Sequence, residues 1–255
     1  MATVTQRAAR RARDYVRVAG PEAEDFLQRM VSNDVSGDVC EALLLTAKGR
    51  VIAPLVVWRR GPDDFLLLTE AGLGDVVRTT LLRARFATKC EVEREEHTST
   101  VVFDADAEGI PNPDYGEPAV EVLDSDLEPT LGEDDLELLR IEAATPAWGK
   151  EIDEKVLPAE AGLDERAVSY TKGCYPGQEP IARLHYRGHA NRALRLLDVE
   201  LAQPEEEIVY EGKVVGRVTS AVPGRALGYV RVAVPEDAKV QVGDITATLI
   251  PPKRP

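Results

Sequence analysis

The chain has 255 residues, 44% of them hydrophobic and 30% charged, which supplies both a packed core and a solvated surface. Its formal net charge of −14 argues against broad nucleic-acid binding, which needs a basic footprint that displaces counterions. No apolar run approaches the roughly 18 residues of a membrane span, and three widely spaced cysteines argue against a disulfide framework or a closed zinc site.

The N-terminal stretch to Asp14 is basic, with Arg and Ala concentrated between Arg7 and Arg13. No apolar segment follows, so a secretory signal is not expected. A frayed basic turn is favoured over a transit peptide. Tyr15–Val18 reads as a short strand ending at Gly20. Pro21 suits a helix start, Glu22, Glu24 and Asp25 complement the positive end, and Phe26, Leu27, Met30 and Val31 share one helical face. The helix should stop near Ser32-Asn33-Asp34. Ala42–Thr46, Val51–Trp58 and Phe65–Thr69 read as strands joined at Lys48-Gly49-Arg50 and Arg60-Gly61-Pro62-Asp63. A helix over 73–85 follows, then strands at 91–95 and 100–103. Asp104–Tyr115, rich in Pro, Asp and Gly, reads as a loop or weakly ordered insert. Glu133–Glu142 is an acidic, Leu-rich helix. After Arg192 the pattern changes to short β segments at 194–200, 213–219, 225–232 and 244–249, punctuated by glycines. That spacing predicts a small C-terminal barrel or sandwich.

Lys172-Gly-Cys-Tyr-Pro-Gly-Gln-Glu179 carries the densest chemistry. Two glycines and a proline in eight residues demand a tight backbone. A cation two positions from Cys174 is expected to favour its thiolate. Gln178 and Glu179 offer a donor–acceptor pair suited to the polar edge of a heterocycle. Other motifs are weaker. His185 and His189 stand four apart, but the intervening Glu of the zinc-protease pattern is absent and Gly188 disfavours a helix, so solvated loop histidines are expected. Gly72-Leu-Gly74 lacks the third glycine of a dinucleotide loop, since Val77 stands there, and reads as a turn capping a helix. Arg183, Arg187, Arg192 and Arg195 form a local basic cluster suited to a small anion or a phosphate backbone.

The octapeptide resembles the signature of the YgfZ family of folate-binding proteins, which includes mitochondrial relatives that assist iron–sulfur cluster assembly. The resemblance extends along most of the chain. It takes in Val16–Val35, Thr46-Ala-Lys-Gly-Arg50, Arg140-Ile-Glu142 and Leu157-Pro-Ala-Glu-Ala-Gly-Leu163. It continues through Val215-Gly-Arg-Val-Thr-Ser220 and Ala226-Leu-Gly-Tyr-Val230. The wider superfamily includes the glycine-cleavage T-protein, a tetrahydrofolate-dependent aminomethyltransferase.

What the resemblance implies is an α+β protein with three domains in a ring around a central folate pocket and a C-terminal β-barrel. The domains would be 1–48 with 130–188, 49–129, and 189–255. The implied function is that of a folate-binding accessory protein for iron–sulfur cluster assembly or repair, touching tRNA modification indirectly. Cys174 and Lys172 would do the chemistry. Tyr175, Gln178, Glu179, Arg183 and Arg140 would hold tetrahydrofolate or another reduced folate. Cluster-assembly or client proteins would be its partners, with a cytoplasmic monomer, no membrane and no direct nucleic-acid contact. The T-protein carries a carboxylate pair where this sequence has Ala53-Pro54, and neither residue acts as acid or base. The alternative, a one-carbon transferase, would need another carboxylate: Asp34, Glu142 or Glu151.

Overall fold

A computed structural model describes residues 6–104 and 106–253. In chain order the first half holds β1 (Ala8–Arg11), β2 (Arg13–Ala19), α1 (Ala23–Met30), β3 (Val39–Leu45), β4 (Val51–Gly61), β5 (Asp64–Glu70), α2 (Gly74–Arg85), β6 (Glu91–Glu95), β7 (Ser99–Val102), β8 (Ile110–Pro111) and β9 (Val120–Leu123). There follow α3 (Glu133–Glu142), α4 (Asp164–Ala167), α5 (Gln178–Arg187), β10 (Arg192–Asp198), β11 (Glu207–Tyr210), β12 (Lys213–Val222), β13 (Arg225–Arg231), β14 (Lys239–Val242) and β15 (Ile245–Ile250). The chain divides into two compact units.

The first unit takes the described residues up to Arg10, Thr100–Ile152, and those from Ala190 on. Its C-terminal part is a closed barrel in the order β10-β13-β12-β11-β14-β15. Alternation fills the interior: Val240 and Val242 of β14 and Ala247 and Leu249 of β15 point inward, with Lys239 and Gln241 out. Its other part is a four-stranded sheet, β1-β7-β9-β8. Helix α3 serves both parts. Leu136 packs with Ala9, Val101 and Tyr115, while Ile141 packs with Leu196 and Leu227 of the barrel.

β1 corrects the expectation of a frayed basic turn. Ala8 and Ala9 are buried, and Arg10 donates to Thr100 and to the carbonyls of Ser125 and Leu127. Small side chains with poor strand propensity are held by tertiary pairing. Residues 1–5 of that stretch lie outside the described residues. The expected insert at Asp104–Tyr115 is loop for most of its length, Ala105 lying outside the described residues. It is tied down nonetheless: β8 pairs with β9, Asn112 donates to the buried Glu121, and Tyr115 packs on Phe103.

The second unit takes Arg11–Ser99 and Asp153–His189. Its antiparallel sheet runs β3-β4-β5-β2-β6. Phe65, Leu66, Leu67 and Leu68 are all fully buried, so β5 is covered on both faces. Helix α2 packs on β2, β4 and β6. Asp14 accepts from the amides of Gly72 and Gly74, which makes that Gly-Leu-Gly a turn at the start of α2. The boundary expected at 48/49 falls inside a hairpin. β3 and β4 pair from Val39↔Trp58 to Leu45↔Val51, so ladder hydrogen bonds cross it. Lys48-Gly49-Arg50 is a turn, but a turn within one sheet does not separate domains.

One buried polar network holds the first unit together. Arg140 on α3 donates through Nε and Nη2 to Glu137 and through Nη1 to the Thr145 carbonyl and to Glu151 at 3.1 Å. Its Nη2 also reaches Ser220 of the barrel at 2.7 Å. Those bonds occupy all five guanidinium hydrogens. Glu151, fully buried, also accepts from Ser220 and the Ala147 amide, and its carbonyl accepts from Tyr229. Arg140→Leu would strand that carboxylate, and a loss of about 3–5 kcal/mol in unfolding free energy is expected from denaturant titration.

Candidate functional site

The signature segment lies wholly in the second unit, and a neighbouring corner of the chain shapes it. Helix α1 ends at Met30, and residues 31–34 return toward β3 with a single bridge, Val31↔Leu44. Such a corner has little ladder to satisfy its polar groups. Residues 166–172 supply the missing partners. Ser32 Oγ donates to the Ala167 carbonyl at 2.6 Å and accepts from the Leu43 amide at 2.7 Å. Asn33 Nδ2 donates to the carbonyls of Glu41 and Arg166. Arg166 in turn pairs with Glu41 through two hydrogen bonds.

Lys172 completes the corner. Its Nζ donates to the carbonyls of Val31 at 2.9 Å and Asn33 at 2.6 Å. Gly173 has open space around it, and Cys174 is exposed. Tyr175 then turns inward, with 6% of its surface exposed, and its hydroxyl has no hydrogen-bond partner among the described residues. Gly177 caps α5 at φ +83°. A Cβ there would lie 2.5 Å from the Thr46 carbonyl oxygen and 3.0 Å from Gly49 Cα. The β3–β4 turn and the signature turn thus meet at two glycines. Pro180 sits in the first turn of α5, where a missing amide costs nothing. The side chains of Gln178, Glu179 and Arg183 carry no hydrogen bond or ion pair among the described residues.

Electrostatics separates the three thiols. Burial pushes Cys40 up to about 11 despite the nearby Lys172 charge. Burial also raises Cys90. Lys172 itself is lowered to about 8 by burial, with Asp34 and Cys40 partly opposing. Asp34 is held low by the Ser36 amide first, then by Gln28, with a smaller contribution from Lys172. Lys172 therefore groups with Asp34 and Cys40. The expected pairing of its charge with Cys174 is corrected here: the ammonium is spent on the two backbone carbonyls of the corner. Burial raises Tyr175 to about 12, so its hydroxyl stays protonated.

Residues 186–254 match the family model of the CAF17 C-terminal β-barrel domain. An uncharacterized protein of Haemophilus influenzae is 26% identical over 226 residues, covering 81% of this chain and 81% of that protein. The tRNA-modifying protein YgfZ of Colwellia psychrerythraea is 36% identical over 77 residues, covering 30% of this chain and 24% of its own length. The crystal structure of the glycine cleavage system aminomethyltransferase T from Bartonella henselae superposes with a TM-score of 0.81 at 21% identity, over 96% of this chain and 85% of that one. The chain has the fold of the glycine-cleavage T-protein, matches the CAF17 barrel model in its C-terminal part and is similar to YgfZ.

The structure gathers Lys172, Cys174, Tyr175, Gln178, Glu179 and Arg183 in one unit. Arg140, expected to hold folate, belongs to the other unit, and its donors are all committed there. Ala53 is fully buried opposite Leu44, and the Pro54 carbonyl accepts from Thr69. Of the substitute carboxylates, Glu151 is buried against Arg140, and Glu142 pairs with Lys253 and Arg225. Asp34 alone stands beside the signature lysine. His185 corrects the loop expectation: it lies on α5 and stacks on Tyr170, while His189 falls beyond the cap at Gly188. Ser32 and Asn33 were read only as a helix stop; their bonds to Ala167 and Arg166 span more than 130 residues, beyond any local pattern.

Two outcomes test this geometry. Gly177→Ala meets both a positive φ and a backbone oxygen, and a loss of about 2–4 kcal/mol is expected in thermal or denaturant unfolding. For Lys172, the folded chain releases its proton near pH 8, while the unfolded chain holds it to 10.5. Unfolding then takes up a proton, so this residue makes stability rise with pH across that window. The slope of stability between about pH 8 and 9.5 should be shallower in Lys172→Met than in the wild type.

Proposed function

We propose that this chain is a folate-binding accessory protein supporting iron–sulfur cluster assembly or repair, with Cys174 as its working thiol. The exposure of Cys174 on a loop held from both sides carries this reading, because the other two thiols are withdrawn and raised by burial. A thiolate is a soft ligand for iron and a nucleophile. A cluster takes about four such ligands, so a client or assembly partner must supply the others. The tRNA-modifying label of the Colwellia relative fits an indirect route, in which clusters serve enzymes of tRNA modification.

The residues fit a reduced folate. The unpaired Tyr175 hydroxyl is a buried donor in want of an acceptor, and Gln178 and Glu179 offer donors and acceptors at one edge. Arg183 suits the carboxylates of the folate tail. Bound folate would supply a one-carbon carrier; the chain's residues would orient it and keep the Tyr175 proton in place.

A second reading, a tetrahydrofolate-dependent aminomethyl or one-carbon transferase, draws on Asp34. It stays ionised, and it neighbours Lys172. Formaldehyde release from an amine donor that depends on tetrahydrofolate and disappears in Asp34→Asn would favour this reading.

Calorimetric titration with tetrahydrofolate should give saturable binding that is weakened about tenfold or more when Gln178 and Glu179 are both replaced by alanine. Cys174→Ala should bind folate as the wild type does, yet fail to restore iron–sulfur enzyme activities in cells lacking the chain. Absence of binding heat removes the folate part; full restoration by Cys174→Ala removes the thiol part.

A further inference from the structure

The basic cluster noted in the sequence is divided between the two units. Arg192 lies over the Tyr229 ring at 4.5 Å, and Arg195 pairs with Glu236 at 3.0 Å, both in the first unit. Arg183 and Arg187 are left on α5 in the second unit, exposed, one helical turn apart, and without an ion pair among the described residues. Beside them is a three-ring cluster. Tyr170 and His185 stack at 3.8 Å with planes 19° apart. Tyr186 meets the pair edge-on, 4.8 Å from His185 and 6.1 Å from Tyr170, and 65% of it is exposed. Arg183 precedes Tyr186 by three positions on α5, a spacing that puts the two side chains on one helical face, and Arg187 follows one turn after Arg183. Glu179 is the only acidic residue on this helix.

We infer that this face of α5 binds single-stranded nucleic acid, with a base stacked on Tyr186 and the flanking phosphates paired to Arg183 and Arg187. The underlying chemistry is general: unpaired bases stack on exposed aromatic rings, while guanidinium groups take phosphates in bidentate fashion. An acidic peptide would use the cations and leave the ring idle. A membrane surface would need more apolar area than one phenol provides. Net charge narrows the partner further. A chain at −14 disfavours extended contact with a long polyanion. A flexible strand can touch two arginines and bend away, whereas a rigid duplex carries its phosphates across the acidic surroundings.

The test is fluorescence anisotropy of the full chain with a labelled single-stranded RNA of about a dozen mixed-sequence nucleotides at low salt. Binding is expected, weakening with salt at a log–log slope of about −1.4 for two phosphate contacts. Tyr186→Ala should weaken it about 5- to 150-fold, the range of one base–aromatic stack. Tyr186→Phe should retain binding and Tyr186→Leu should lose it, which separates stacking from any effect on folding. Arg183→Gln with Arg187→Gln should abolish the salt slope, while Arg217→Gln, exposed on the barrel, should change nothing. Tetrahydrofolate titration of Tyr186→Ala should match the wild type, so the Tyr186 outcome stands apart from the folate reading, which shares Arg183 but not Tyr186. Absence of binding overturns the inference, as does binding unaffected by Tyr186→Leu, or equal affinity for a duplex. A polyglutamate peptide bound as tightly, with Tyr186→Ala silent, would assign the face to an acidic protein segment and overturn it too.

Discussion

The site is built on the demand of a chain corner for hydrogen bonds. Between α1 and β3 the backbone turns with one bridge to its neighbour, and the carbonyls of Val31 and Asn33 face a half-buried space. An unsatisfied buried carbonyl costs about 1–3 kcal/mol, so the corner needs donors from elsewhere. Lys172 gives two, and Ser32 and Asn33 bind back to residues 166–167. The signature is therefore fixed at its first residue by an obligation that has nothing to do with ligand. At Gly177 it is fixed again, by contact with the Thr46–Gly49 turn. Cys174 lies between these two anchors, on the part of the segment that the fold does not need to bury.

That arrangement decides which charge acts on which thiol. Sequence proximity put Lys172 with Cys174, but charge acts through space. The ammonium points into the corner, and the groups that feel it are Asp34 and Cys40. Even there burial wins: the lysine is lowered to about 8 and Cys40 raised to about 11, so desolvation outweighs attraction at both ends.

Periodicity made much of the fold readable. β2 to β5, α1, α2, α3 and four barrel strands follow from apolar alternation or a 3.6-residue stripe, and the resemblance supplied their order. The elements that escaped lack such a signal. β14 is four residues long, and β11 follows an acidic run. β1 is Arg and Ala. α5 was hidden by Pro180, which a helix tolerates in its first turn, and by Gly188, which turned out to be its cap rather than its interruption. At the site, the octapeptide stood out because its residue types conflict with any ordinary element. The corner at 31–34 did not, since Ser-Asn-Asp after an apolar helix face is what any helix stop looks like.

Ala53 and Pro54, which carry no carboxylate, serve the packing of β4. Ala53 points into the sheet core, and the Pro54 carbonyl is tied to Thr69, so the strand has been given over to packing. Recovery of acid–base chemistry would need a carboxylate brought in from another element. Glu142 and Glu151 are held by arginine and lysine partners whose removal would unsettle the barrel's attachment to α3. Asp34 is free of that duty, but hydrogen bonds from Ser36 and Gln28 hold it ionised, which makes it a weak base and suits it to stabilise a cation instead.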